Sequence, residues 1–278
     1  MKKIILIIMI LIIMILICYL GNEQFNNINN INNTNNENIK FAIVIATFNR
    51  KNGKTPTYLK RAIESIIKQK YKNWDIILVG DKFEPEHIVI DIVNSYKNEL
   101  VNNDNDNDNE IIYLNNQNVE RDYIFNKYNL WKCAGATSMN MGLKYARENN
   151  YKYYCHLDDD DYWSDTHLLE LAKVYNKYPN CIFCNTQSTY TGSFLPREKF
   201  DLYENNRMPL SENTIHSSIS FRIDILGIYY TTGENMNKPA DATILDEIKT
   251  FLENNKQYSS IYTPVLTCYH DIEGETMN

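Results

Sequence analysis

The segment Phe41-Ala42-Ile43-Val44-Ile45-Ala46 is an unbroken apolar run rich in β-formers. A strand covered on both faces reads this way, because no side of it meets water. Thr55-Pro56 then predicts a helix start, with Thr55 as N-cap and proline in the first turn. Leu59, Ala62, Ile63, Ile66 and Ile67 follow at helical spacing. A second apolar run, Ile76 to Val79, ends at Gly80-Asp81. Strand, helix and strand in that order predict a right-handed βαβ unit. A weaker helix is expected from Glu86 to Leu100, a strand at Ile111–Leu114 and a helix at Thr137–Glu148. A fourth strand, Tyr153 to Leu157, runs directly into Asp158-Asp159-Asp160-Asp161. Leu168, Leu171, Ala172 and Tyr175 mark the next helix, and strands are expected near Cys181–Thr186, Ser217–Arg222 and Ser260–Cys268.

The pattern ahead of this domain is different. Met1-Lys2-Lys3 precedes an uncharged apolar run from Ile4 to Leu20. About 20 such residues cross a bilayer, and the lysines favour a cytosolic N-terminus. Residues 1–21 therefore read as the anchor of a single-pass type II membrane protein, with the domain lumenal or extracytosolic. A cleaved signal peptide fits less well, because no small-x-small site follows. Residues 22–40 are Asn-rich and too poor in large apolar side chains to fold alone. They read as a stalk, carrying the glycosylation sequon Asn32-Asn33-Thr34. The domain is expected over residues 41–278.

Composition narrows the classes. The chain has 278 residues, 44% hydrophobic, with a net charge of −7. That is enough for one substantial core, and the absence of a basic stripe excludes nucleic acid as a partner. Cys181 and Cys184 resemble half a zinc site, but no second pair accompanies them, and they fall in an apolar run. They read as buried strand cysteines. Asn102 to Asn109 alternates Asn and Asp without the glycine and glutamate of a calcium loop, so it reads as a solvated loop.

Polar clusters gather where such a fold places ligands, at the carboxyl ends of its strands. Thr47-Phe48-Asn49-Arg50 follows the first strand, Asp81 the second and Asp158–Asp161 the fourth. Four adjacent carboxylates repel one another, and a divalent cation such as Mg²⁺ or Mn²⁺ removes that penalty.

In order along the chain, these pieces resemble a family 2 glycosyltransferase of the GT-A fold. The resemblance rests on Thr47-Phe48-Asn49-Arg50, on Tyr58 to Ile66 with Gln69, and on Val79-Gly80-Asp81. It continues through Gly135 to Gly142, Leu157 to Trp163, Pro239-Ala240-Asp241 and His270 to Met277. It implies an α/β domain with a mixed, mainly parallel sheet flanked by helices. The implied activity is inverting, metal-dependent transfer of a sugar from a UDP- or TDP-sugar to a glycan, protein or lipid hydroxyl. Thr47, Arg50, Asp81, Asn140, Asp158 and Asp159 would hold the nucleotide-sugar. Asp158, Asp160 and His270 would hold Mn²⁺ or Mg²⁺. The register of the metal pair stays open, because Asp159 and Asp161 share its spacing. Asp241 would be the base, with Asp246 as alternative. Met139 replaces the arginine that often precedes Asn140, leaving Lys132 or Lys144 as possible substitutes. Gly192 to Ser211 and His216-Ser217-Ser218 would face the acceptor. The main rival is a catalytically inactive protein of the same fold that binds sugar-nucleotide or glycan. A nucleotidyltransferase fits less well, because the first strand is not followed by a Gly-rich triphosphate loop.

Overall fold

The computed structural model describes residues 39–102, 108–133, 135–196, 209–234 and 236–271. The run Ile4–Leu20, the stalk up to residue 38, most of the Asn/Asp loop and residues 272–278 lie outside the described residues. Part of the segment 192–211 does so too. Among the described residues, no helix is long and apolar enough to cross a membrane.

Strand β1 (Phe41–Thr47) divides its side chains between two cores. Phe41, Ile43 and Ile45 pack with Leu59, Ile63 and Ile66 of helix α1 (Thr55–Ile67). Ala42 and Val44 face the other way, onto Met139 and Leu143. The period of two thus distributes one apolar run over both faces. Strands β2 (Trp74–Asp81), β3 (Ile111–Asn116) and β4 (Tyr153–His156) extend the sheet in parallel. Helix α2 (His87–Asn102) joins β2 to β3. A short helix α3 (Lys127–Cys133) precedes α4 (Ala136–Glu148). Helix α4 lies very close to β1: a Cβ on Gly142 would stand 2.6 Å from Val44 Cγ1.

Beyond β4 come β5 (Tyr162–Trp163), α5 (His167–Lys177), β6 (Cys181–Tyr190) and β7 (Ser193–Leu195). Strand β8 (Ile219–Arg222), helix α6 (Ala240–Asn254) and strand β9 (Ser259–Tyr269) complete the described domain. The strand order is β3-β2-β1-β4-β8-β6-β9-β5, with β7 on β6. The expected dominance of parallel pairing extends into the second half, where the long strands β6 and β9 run parallel, although shorter pairings there are antiparallel. Strand β8 runs against both β4 and β6, and β5 runs against β9.

Two local expectations are corrected. Thr55 is not the N-cap, which falls on Lys54 without a side-chain cap. The Thr55 hydroxyl is used by the preceding loop, donating to Phe48 O at 3.0 Å and accepting from Arg50 N at 2.9 Å. Ser217 and Ser218 are not strand. They form a 3₁₀ turn, His216–Ser218, and β8 begins at Ile219. Cys181 and Cys184 are free, buried strand residues, as expected.

Candidate active site

Strands β1, β2 and β4 end side by side, so their C-terminal loops meet. Thr47 Oγ1 donates to Asp159 Oδ2 at 2.5 Å. Arg50 holds the same carboxylate with both guanidinium nitrogens, at 2.9 and 2.6 Å, and reaches Asp160 Oδ2 at 3.0 Å. Asp159 is therefore turned inward and already paired. Asp161 is also turned in. It is wholly buried, accepting from Ser217 Oγ at 2.5 Å and Asp271 N at 2.9 Å, with His270 Nδ1 at 3.0 Å.

Asp158 and Asp160 face the open space. Both line a small hollow of about 140 Å³ shared with Thr47, Arg50, Asp81 and Arg121. Both also line an adjoining cleft of about 610 Å³, with Lys132, His216, Asp241 and His270 on its walls. Burial, then the charges of Asp159 and Asp158, push the Asp160 carboxyl up to about 8. A divalent cation relieves that crowding of carboxylates, and the oxygens of Asp158 and Asp160 on the hollow and cleft are the ligand type it takes, so the residues present fit such an ion.

Asp241 stands in the first turn of α6 and accepts from its own Ala242 N at 2.8 Å. Burial, with Asp158 adding to it, raises its pKa above the ordinary carboxylate value. Asp246, one turn on, is exposed to solvent with Lys238 at 2.7 Å and does not line the cleft. Of the two lysines considered near Met139, Lys132 lines the cleft, while Lys144 pairs with Glu148 on the surface. His216 and Ser211 line the cleft as well, whereas Ser217 is buried beneath the aspartates.

Asn140 stands apart from this assembly. Its amide is tied both ways to the Tyr230 backbone, at 2.8 Å each, and it lines another hollow. Asp81 accepts from Ser138 Oγ at 2.6 Å and pairs with Arg121. No motif or periodicity in the sequence marks Arg121. It lies in a 3₁₀ turn after β3 and stacks on Phe48, 3.9 Å from the ring centroid. Its neighbour Glu120 was also missed. This wholly buried carboxylate accepts from Thr137 N and Oγ1, at 2.8 and 2.9 Å, in the first turn of α4. His156 is a third, stacked on His216 with ring centroids 3.7 Å apart. Burial, then the neighbouring His156, hold the His216 imidazole well below its ordinary pKa.

The family pattern described as "Glycosyl transferase family 2" matches residues 42–230. The chain belongs to this family. It is accordingly a glycosyl-transfer enzyme, and the family match takes in the Thr47, Asp81 and Asp158–Asp161 loops but ends before Asp241 and His270. The Acanthamoeba polyphaga mimivirus protein named "Uncharacterized glycosyltransferase R139" is 43% identical over 250 residues. That alignment takes in 86% of this chain and 97% of the relative. S. aureus TarS 1-349, solved in complex with UDP-GlcNAc, is similar in structure, with a TM-score of 0.57 at 14% identity. A mannosyltransferase from Pyrobaculum calidifontis, solved with GDP-Man and Mn²⁺, gives a TM-score of 0.50 at 11% identity. The similarity covers 86% and 83% of this family 2 chain, but only 62% and 56% of those two. It shows the fold: a curled mixed sheet between helix layers, consistent with GT-A.

Proposed function

We propose that this enzyme transfers a sugar, with inversion, from a nucleotide-sugar to an acceptor hydroxyl. The observation that carries the reading is the sharing of Asp158 and Asp160 between the small hollow and the cleft that also holds Asp241. A donor lying across that acidic pair would put its nucleotide on one side and its sugar beside Asp241. The neighbours solved with UDP-GlcNAc and GDP-Man support a nucleotide-sugar donor. A uracil or thymine ring suits the hollow, because Asp81 can accept its imide N–H once Arg121 swings to the phosphates.

Asp158, Asp160 and His270 would hold Mn²⁺ or Mg²⁺. When bound, the cation supplies positive charge to the departing diphosphate and counters the push of Asp158 on Asp241. Thr47 and Arg50 keep Asp159 fixed, so the acidic loop presents its other carboxylates in one direction. Asp241 takes the proton from the acceptor hydroxyl as that oxygen attacks the anomeric carbon. Attack from the face opposite the nucleotide inverts the centre. The apolar run Ile4–Leu20 would tether the enzyme to a membrane as a type II protein, with a glycan, protein or lipid acceptor on the far side.

The test is nucleoside diphosphate release by the purified full chain from UDP-, TDP- and GDP-sugars, with Mn²⁺ or with EDTA. Release from one donor, abolished by EDTA and by Asp241→Asn, supports the proposal. Tight donor binding with no release and no transfer to any glycan, peptide or lipid acceptor would make it a binding protein.

A further inference from the structure

Helix α3 has an inner and an outer face. Leu130 and Cys133 join the core that holds Met139, while Tyr128 and Trp131 stay in water. The two outer rings are three residues apart, so they meet on one face. Their planes lie 23° from parallel, with centroids 6.2 Å apart. They are 64% and 51% exposed, whereas the other two tryptophans, Trp74 and Trp163, are buried at 1% and 3%. Lys132 secures the pair. Its Nζ sits 4.2 Å from the Tyr128 ring centroid and donates to Met236 O at 2.8 Å. That bond ties α3 to the segment leading into Pro239 and Asp241.

Trp131 and Lys132 stand on the wall of the cleft that also holds Asp158, Asp160 and Asp241. Tyr128 does not, so the indole is the member of the pair that reaches the cleft. Nor does Trp131 line the hollow assigned to the nucleotide. Two large rings left in water forgo the stabilisation of burial. Exposed aromatic surface continuous with a cleft serves a ligand rather than a core.

The rest of the cleft says which ligand. Its walls carry Asp158, Asp160, Glu212 and Asp241. An acyl chain would leave such carboxylates desolvated without partners, and an anionic headgroup would be repelled by them. A pyranose ring suits both surfaces. Its axial C–H bonds form an apolar face that packs on the negative face of an indole. Its edge hydroxyls donate to carboxylates.

We propose that Trp131, with Tyr128 beside it, is the platform for a pyranose ring of the acceptor, so that the acceptor is a saccharide. The proposal rests on the transferase reading of the cleft and adds to it the class of acceptor. Stacking fixes the plane of the ring, and with it the edge hydroxyls that reach along the cleft to Asp241.

The experiment reads binding to the full chain in EDTA and without donor, by saturation-transfer NMR and by the emission of Trp131, the exposed tryptophan. The probes are tetrasaccharides of glucose, galactose, mannose and N-acetylglucosamine, phosphatidylcholine vesicles with and without phosphatidylserine, and a peptide rich in Ser and Thr. At least one tetrasaccharide should shift the emission to the blue and shield it from acrylamide. Trp131→Ala should weaken that binding about 10-fold or more, and Trp131→Phe, which keeps a ring, by less. Phe125→Ala removes a ring that is 87% exposed and off the cleft wall, and should bind as the wild type does. Thermal melts establish that the variants are folded, and the wild-type emission decides without any variant. Unchanged saccharide affinity in folded Trp131→Ala would overturn the proposal. So would a Trp131 response to vesicles or peptide alone, or to no probe. Failure of the transferase reading shows separately, as absent nucleoside diphosphate release to water, an assay that needs no acceptor.

Discussion

Arg50 grips Asp159 through both guanidinium nitrogens while the same side chain reaches Asp160. One cation thus serves two of four adjacent carboxylates, and both partners are largely withdrawn from water. Arg50→Ala leaves Asp159 buried and unpaired, which should destabilise the domain by about 3 kcal/mol. In a domain of this size that lowers Tm by roughly 6–12 °C. Arg50→Lys keeps the charge but loses the fork, so its loss should be smaller. Differential scanning calorimetry of both variants checks the order. Equal melting of wild type and Arg50→Ala would remove this pair from the structural account.

Metal-free stability should depend on pH in an uncommon direction. Asp160 is pushed up to about 8 by burial and by its acidic neighbours. Between the ordinary carboxylate value and about 8, the folded chain holds a proton that the unfolded chain has lost. Raising pH through that window therefore favours unfolding, by at most about 1.4 kcal/mol per pH unit for one group. Asp241 and Asp161 are shifted the same way. Above the unfolded-histidine range, urea midpoints in EDTA should fall from pH 7 to pH 8, and Asp160→Asn should flatten the slope. A midpoint that climbs over that range would contradict the burial argument.

Asp241 and Asp246 are five residues apart but face different surroundings. Asp241→Asn should lower kcat by about 10²–10⁴-fold, as expected on loss of a general base. Asp246→Asn breaks an exposed pair worth at most about 1 kcal/mol and should leave kcat within about twofold. Steady-state transfer rates separate the two, and a collapse in Asp246→Asn alone would reverse the assignment.

Gly142→Ala opposes two effects of known size. Alanine favours the helix by about 1 kcal/mol. Its Cβ would meet Val44 Cγ1 at 2.6 Å, and overpacking costs typically about 1–3 kcal/mol. The net should be a loss of roughly 1 kcal/mol in the wild-type background. In a Val44→Ala background the same substitution should become neutral or favourable. A double-mutant cycle by urea denaturation measures that coupling, and additive effects would show that α4 shifts instead.

The first half of the domain was legible because its strands are covered on both faces. That burial forces the continuous apolar runs at Phe41–Ala46 and Ile76–Val79, which few other structures permit. The position of the acidic loop followed directly, since it ends one of those strands. Helix α6 carried a readable signal in Ile244, Leu245, Ile248 and Leu252, at helical spacing after Pro239. It went unread beside the carboxylates in the same segment. Arg121 left no trace, because a three-residue turn has no periodicity and its partners Asp81 and Phe48 are far away in sequence. The His156–His216 stack is similarly silent, since sixty residues separate rings that only the pairing of β4 with β8 brings together. Asn140 illustrates the converse: a motif position fixes the residue type, but the Tyr230 backbone decides what its amide touches.

Asp161 also ties together parts of the chain that emerge from the ribosome far apart in time. Its carboxylate is satisfied by Ser217, His270 and Asp271, and β9 must slot between β6 and β5 to deliver the last two. During synthesis the acidic loop leaves the exit tunnel more than a hundred residues before those partners exist. Until then it holds a carboxylate that cannot be buried, so the loop stays open and the nascent enzyme has no finished cleft. Catalytic competence therefore waits for the emergence and insertion of the closing strand β9.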